Sequence, residues 1–501
     1  MLTGRCWITL KNTYFRITLT RFTIAFFLFC FVHCFAEGFI QAFIFSLDSD
    51  ASALVTSILR QAEVPRNNFG ILHRHNGNAT LELCNLIPTY IDNPPCELVY
   101  QTGQPNLPLP SQFNLSGDPR VFIAGVTSVP GGLGVDVAMP DGDKLFLSEM
   151  CTLVLVYPHQ VLMNAQREDV VLVLTQFWIF CVSFFAIAYD SIPHLVAALC
   201  FRTLTTGWSM YIIWRTGDVF SRFNTLLSTP DSPCKDVKVD TLFPMYFESR
   251  QALQIPDLVM NVVSLGLAIY LSMKLIKVYG PNTFNRVGAP KDIIRIYKYF
   301  LAIFVSFQLA ALLLISVVCL WLDQMLNRDN ALAGSVTYHR PLYIALSIFT
   351  LAILVPWITM GWYAVRREWK RLMVVFLTIA AVVFASWILM LKSWSFAWTF
   401  VNWPFFACQI IAASLSLLTT IVFGVVCWVN MGKGLAHYLY VDDVLGKSGF
   451  EPELFENDVG KHPPSDWREI GLDDIPTYTL SFSGTEKRDL GDLEKQDVDR
   501  K

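Results

Sequence analysis

A charged side chain stands where a membrane-like sequence tolerates it least. Arg202 lies near the middle of the apolar run 192–214, and a charge at that depth costs ~2.5 kcal/mol or more unless it meets a partner or water. It must therefore turn inward. Gln176, Asn261, Gln308 and Gln409 lie in or beside other apolar runs, and with backbone carbonyls they are its candidate partners. Two roles follow: a guanidinium that meets an anion or ligand in a central cavity, or a hydrogen-bonded tie between helices. Pro356, inside another run, removes a backbone hydrogen bond and is either a hinge or a passively tolerated kink.

Other polar clusters are weaker. Asp48-Ser49-Asp50 offers two carboxylates that could hold a metal for transfer from a lipid-linked sugar, or simply cap a helix end. His73-Arg74-His75 is a metal pair or a solvated loop. Gly131-Gly132-Leu133-Gly134 follows a proline and opens no helix, so it does not read as a phosphate cradle. Gly-x-Ser-x-Gly, His-Glu-x-x-His, P-loop and Cys-x-x-Cys motifs are all missing. No catalytic residue, metal or cofactor is expected, and the chain does not read as an enzyme.

The elements that must position Arg202 are apolar helices. The 501 residues are 53% hydrophobic and 16% charged, against about 25% charged in a soluble protein, with 38 Phe and 14 Trp. Seven runs, 170–188, 192–214, 258–278, 299–322, 342–365, 372–391 and 404–429, are each near the ~20 residues that cross a bilayer. This predicts an all-α membrane fold, a seven-helix domain over 169–429. Ahead of it, residues 1–21 are basic without an acid, and 22–47 read as an uncleaved signal anchor or as a signal peptide cut near Ala36. The basic loop Arg366-Arg367-Glu368-Trp369-Lys370-Arg371 sets the orientation. With it inside, both termini are cytoplasmic and 48–168 is extracellular or lumenal, in the secretory pathway or at the plasma membrane.

Region 48–168 is long enough for one small domain and is expected to be β-rich, since 120–127, 134–139 and 144–157 read as strands. It carries two glycosylation sequons, Asn78-Ala79-Thr80 and Asn114-Leu115-Ser116. Four of the 12 cysteines fall outside the membrane in this topology, and four allow three pairings. Cys84–Cys96 and Cys151–Cys234 are the expected pairs, unless some remain free. The other cysteines read as small packing residues.

Residues 430–501 hold 16 acidic against 9 basic residues and few apolar clusters, which predicts a disordered acidic cytoplasmic tail that meets cytosolic adaptors. Tyr438-Leu439-Tyr440-Val441 there is a sorting signal or a continuation of the last helix. The charge pattern gives no footprint for nucleic acid.

Asn285-Arg286-Val287-Gly288-Ala289 leading to Arg295-Ile296-Tyr297-Lys298, and Ile358-Thr359-Met360-Gly361-Trp362 leading to Arg366-Arg367-Glu368, resemble a family of fungal polytopic membrane proteins from mushroom-forming species. That resemblance implies no activity. The layout is also similar, in architecture alone, to seven-helix proteins with a lumenal domain, of the Wntless and Golgi-dynamics type. The expectation is a receptor-like or cargo-binding membrane protein with an outside ligand. The alternatives are a small-molecule or ion transporter with a path near Arg202 and, more weakly, a lipid-linked glycosyl transferase.

Overall fold

The computed structural model describes residues 14–64, 68–75, 77–85, 96–104, 126–129, 132–138, 144–234, 237–284, 291–326, 337, 339–433 and 441. Asn114, Gly131 and nearly all of the acidic tail, with Tyr438, lie outside the described residues.

Helix α1 (Arg21–Gln61) starts at a capping box in which Thr20 and Thr23 satisfy each other's backbone N–H groups. At 1.5 Å per residue its 41 residues span about 60 Å, twice the hydrocarbon thickness, so it projects well past the membrane. Two antiparallel three-stranded sheets follow. The first joins β1 (Phe69–His75), β2 (Asn78–Cys84) and β3 (Cys96–Gln101), and the second β4 (Val126–Val129), β5 (Gly132–Ala138) and β6 (Lys144–Ser148). Gly77, at φ +85°, occupies the left-handed region needed where β1 turns into β2. Asn78 follows it, exposed.

The stretch 144–157, expected as one strand, is strand only to Ser148. The Ser148 hydroxyl accepts from the Cys151 N–H at 3.3 Å and starts α2 (Glu149–Val154), with Glu149 in the first turn. The apolar run that follows fits strand and helix alike, and the cap decides it. Then come α3 (Val156–Ala188), α4 (Ile192–Leu227), a short α5 (Val239–Leu242), α6 (Tyr246–Phe284), α7 (Lys291–Leu326), α8 (Arg340–Arg366), α9 (Lys370–Met390), α10 (Trp394–Asn402) and α11 (Pro404–Asn430).

Among the described residues, eight helices are long and apolar enough to cross a membrane: the seven expected runs and the first helix. Phe39, Phe43, Phe349, Val355 and Leu415 stand exposed on their outer faces, as lipid contact requires. The chain is a polytopic membrane protein, mostly helical with a small sheet region.

The most buried span is α7, which packs on α4, α8 and α11. Where α8 meets α9, Gly361 lets the ring of Phe376 approach; a Cβ there would lie 2.6 Å from it. Just past Pro356, Trp357 stacks on Phe376 at 4.9 Å and donates to its carbonyl, clamping the turn that follows the proline. A second group of helices, α1, α3, α4 and α6, carries the polar residues. Beyond the apolar runs their ends share one core with both sheets, through Val55, Leu81, Tyr100, Val135, Leu147 and Phe223. Cys84–Cys96 bridges β2 to β3, and Cys151–Cys234 fastens α2 to the segment after α4, the pairings expected from the sequence.

Candidate functional site

One face of α1 carries His33, Glu37, Gln41 and Asp48, all buried. Their spacing of four, four and seven is that of a single helical stripe. Facing it, α6 carries Arg250, Gln254, Asp257, Asn261 and Ser264, again on one stripe and all buried. The helices run antiparallel, so each step up α1 meets an equal step down α6. Asn261 Nδ2 donates to Glu37 Oε1 at 2.7 Å, Gln41 Nε2 to Asp257 Oδ1 at 2.7 Å, and Arg250 Nη1 meets Asp48 Oδ2 at 2.9 Å. Helix α4 lines the same seam with Arg202, Thr206, Ser209 and Arg215, and α3 with Glu168 and Asp169.

At the sheet end the Tyr246 hydroxyl donates to Asp48 at 2.7 Å and accepts from Arg250 at 2.8 Å. Asp169 is buried on α3 near Asp48. Beside them Glu168, fully buried, accepts from Arg215 Nη1 and from the Trp403 indole N–H of α11, both at 2.6 Å. A cavity of about 20 Å³, room for one water molecule, lies against Arg215, Tyr246 and Arg250.

Deeper in, Glu37 sits beside Asp257 in the same way as Asp48 beside Asp169. Neither Glu37 Oε2 nor Asp169 Oδ2 accepts from an N–H or hydroxyl donor. A carboxylate can only accept, so two neighbouring carboxyls bond to each other only when one carries a proton.

The seam ends at Arg202. Its Nη1 lies 3.1 Å from His33 Nδ1, its Nη2 3.6 Å from Cys30 Sγ, and the guanidinium stacks over Phe29 at 5.0 Å. A guanidinium only donates, so Nδ1 is the acceptor and His33 is neutral with its proton on Nε2. Past this level Phe26, Leu195, Leu271 and Leu275 close the helices with an apolar plug.

Glu168 meets Arg215, and Asp48 meets Arg250. Arg202 meets His33, one turn of α1 from Glu37. In all, five buried carboxyls, Glu37, Asp48, Glu168, Asp169 and Asp257, share the seam with three guanidiniums, Arg202, Arg215 and Arg250. Buried ions lacking such compensation would cost several kcal/mol each.

Arg202 does face inward, but it bonds to α1 and not to the amides expected from the sequence. Asn261 joins the same seam one layer on, linked to Glu37 and Ser209. Gln176 is buried on α3 without a bond to Arg202, while Gln308 and Gln409 sit on α7 and α11, which are not among the four seam helices. Asp48 and Asp50 do not share a site: two residues apart on a helix they point about 200° apart, Asp48 buried and Asp50 exposed. His73 and His75 lie on β1, both facing the exposed side at its end. No cluster of three metal-ligating side chains occurs among the described residues. Glu37, His33, Asp257, Arg250, Glu168, Asp169 and Arg215 escaped the sequence reading. The stripe spacing on α1 and α6 was the available signal for His33, Glu37, Arg250 and Asp257.

No known family, characterised protein or solved structure shows detectable similarity to the chain.

Proposed function

We propose that the protein is a proton-coupled membrane transporter in which the seam binds and passes protons between the sheet end and mid-membrane. The observation that carries this reading is a continuous buried seam of five carboxyls and three guanidiniums across α1, α3, α4 and α6 that stops at Arg202. Ionisable groups at such depth mark proton or ion pathways by default. The apolar plug supplies the closed gate that alternating access needs, and the cavity beside Arg215 and Arg250 has room for one water molecule to relay a proton. In this reading the sheet end faces outward, in keeping with the basic α8–α9 turn at the opposite end.

The test is proton uptake into liposomes containing the full-length protein and a trapped pH-sensitive dye, driven by a potassium diffusion potential. Wild type acidifies the lumen, and Glu37→Gln and Asp169→Asn, which keep the size of each side chain, do not. Equal rates in wild type, both variants and empty liposomes would refute the reading.

A receptor or cargo-binding role is the second reading. It is favoured by an open groove of about 610 Å³ at the sheet end between α1 and α3, lined by Ser52, Thr56, Arg60, Gln61, Met163 and Gln166. There an outside ligand would bind, and the acidic tail would meet cytosolic partners.

A further inference from the structure

The turn joining α8 to α9 concentrates basic charge. Arg366, Arg367, Lys370 and Arg371 are all exposed, and Lys433 after α11 adds a fifth cation at the same end. The one acid in the turn, Glu368, is occupied: its Oε2 accepts from the Gly432 N–H at 3.3 Å and holds the end of α11 against the turn.

The basic side chains fall into two sets. Arg366 stacks over Trp362 at 5.0 Å, and Arg367 over Tyr363 and Trp369 at 5.7 and 5.6 Å. Aromatic rings of this kind settle at the level of lipid headgroups, so they fix the depth of the turn. Lys370 and Arg371 have no ion-pair partner among the described residues. They stand at the mouth of an open groove of about 570 Å³, whose other walls are Trp369, Leu372, Val375 and Glu368, the acid already engaged by the Gly432 N–H. Trp369 and Val375 are exposed large hydrophobic side chains.

We propose that this groove binds an anionic phospholipid. The headgroup phosphate and carboxylate would meet Lys370 and Arg371, and the upper acyl chain would lie along Trp369, Leu372 and Val375. A soluble anion would use the cations and leave the apolar walls bare, while a neutral lipid would cover the walls and leave the cations unmet. Only a lipid carrying negative charge complements both halves. This site is separate from the proton seam and stands whether or not that reading holds.

The test uses full-length protein exchanged into nanodiscs containing phosphatidylcholine and phosphatidylserine, then released into detergent. Native mass spectrometry counts the lipids retained, with size-exclusion elution as the check on folding. Wild type retains phosphatidylserine over phosphatidylcholine. Lys370→Gln/Arg371→Gln lowers that retention about thirtyfold, at roughly fivefold per basic residue near a membrane surface. Lys370→Arg/Arg371→Lys, which keeps both charges, retains the wild-type preference and is the deciding variant if the neutral pair fails to fold. Equal retention of the two lipids by wild type, an unchanged preference in the neutral variant, or displacement of the lipid by inorganic phosphate alone would overturn the proposal.

Discussion

Replacing Arg215 with methionine removes the guanidinium from Glu168 and leaves most of the side-chain volume. Glu168 has no exposed surface, and its two donors are Arg215 Nη1 and Trp403 Nε1, each at 2.6 Å. After the change it keeps only the indole, and a carboxylate without a countercharge remains where three helices meet. Breaking a buried ion pair in this way costs about 3–5 kcal/mol. Glu168→Gln/Arg215→Met removes both charges, and the glutamine carbonyl still accepts from Trp403. The double variant should therefore recover most of the loss, with a coupling energy of about 1–3 kcal/mol. The assay is loss of helical circular dichroism on heating in one detergent for wild type, both single variants and the double variant. Additive losses, or an Arg215→Met protein within about 0.5 kcal/mol of wild type, would refute the claim that Glu168 is charged and held by Arg215.

Arg202→Gln should abolish proton uptake while leaving a folded protein, because the amide still donates to His33; wild-type uptake in liposomes would reduce Arg202 to a structural tie. Gly361→Val should destabilise by about 1–3 kcal/mol, since its side chain meets the Phe376 ring, and thermal unfolding reads this directly. Cys151→Ser/Cys234→Ser should lose about 2–4 kcal/mol by releasing the sheet region's base from the segment after α4, measured by the same melt with and without reductant. Peptide mapping of the mature protein should recover the segment containing Cys30 and His33, because α1 supplies half of the seam; its absence would mean the seam as described does not form.

The apolar cores of the spans were legible in the sequence because lipid-facing positions are apolar whatever the neighbours do. The span ends were not. The runs stop at Asp48, Asp169, Arg215 and Pro256, since hydropathy treats a charge or an interior proline as an exit from the membrane. In the fold those charges neutralise one another across α1, α3, α4 and α6, so the helices continue to Gln61, back to Val156, and on to Leu227 and Tyr246. The first span reads in the sequence only as a signal anchor or a signal peptide for the same reason: its polar stripe has meaning only opposite α6. Arg202 could be identified as inward-facing from its cost alone, but its partner could not. Which helix lies across from it is set by packing, and amide side chains in apolar runs are no guide to that. The cysteines to be paired were legible because topology left four outside the membrane; the pairing itself, one of three, follows from which elements pack together, β2 on β3 and α2 on the segment after α4.

Infrared spectroscopy of the folded protein at neutral pH tests the central claim most directly, by counting carboxyls that carry a proton. The account predicts two protonated-acid C=O bands, one removed by Glu37→Gln and the other by Asp169→Asn. A spectrum with no protonated carboxyl, or bands untouched by both substitutions, would contradict it.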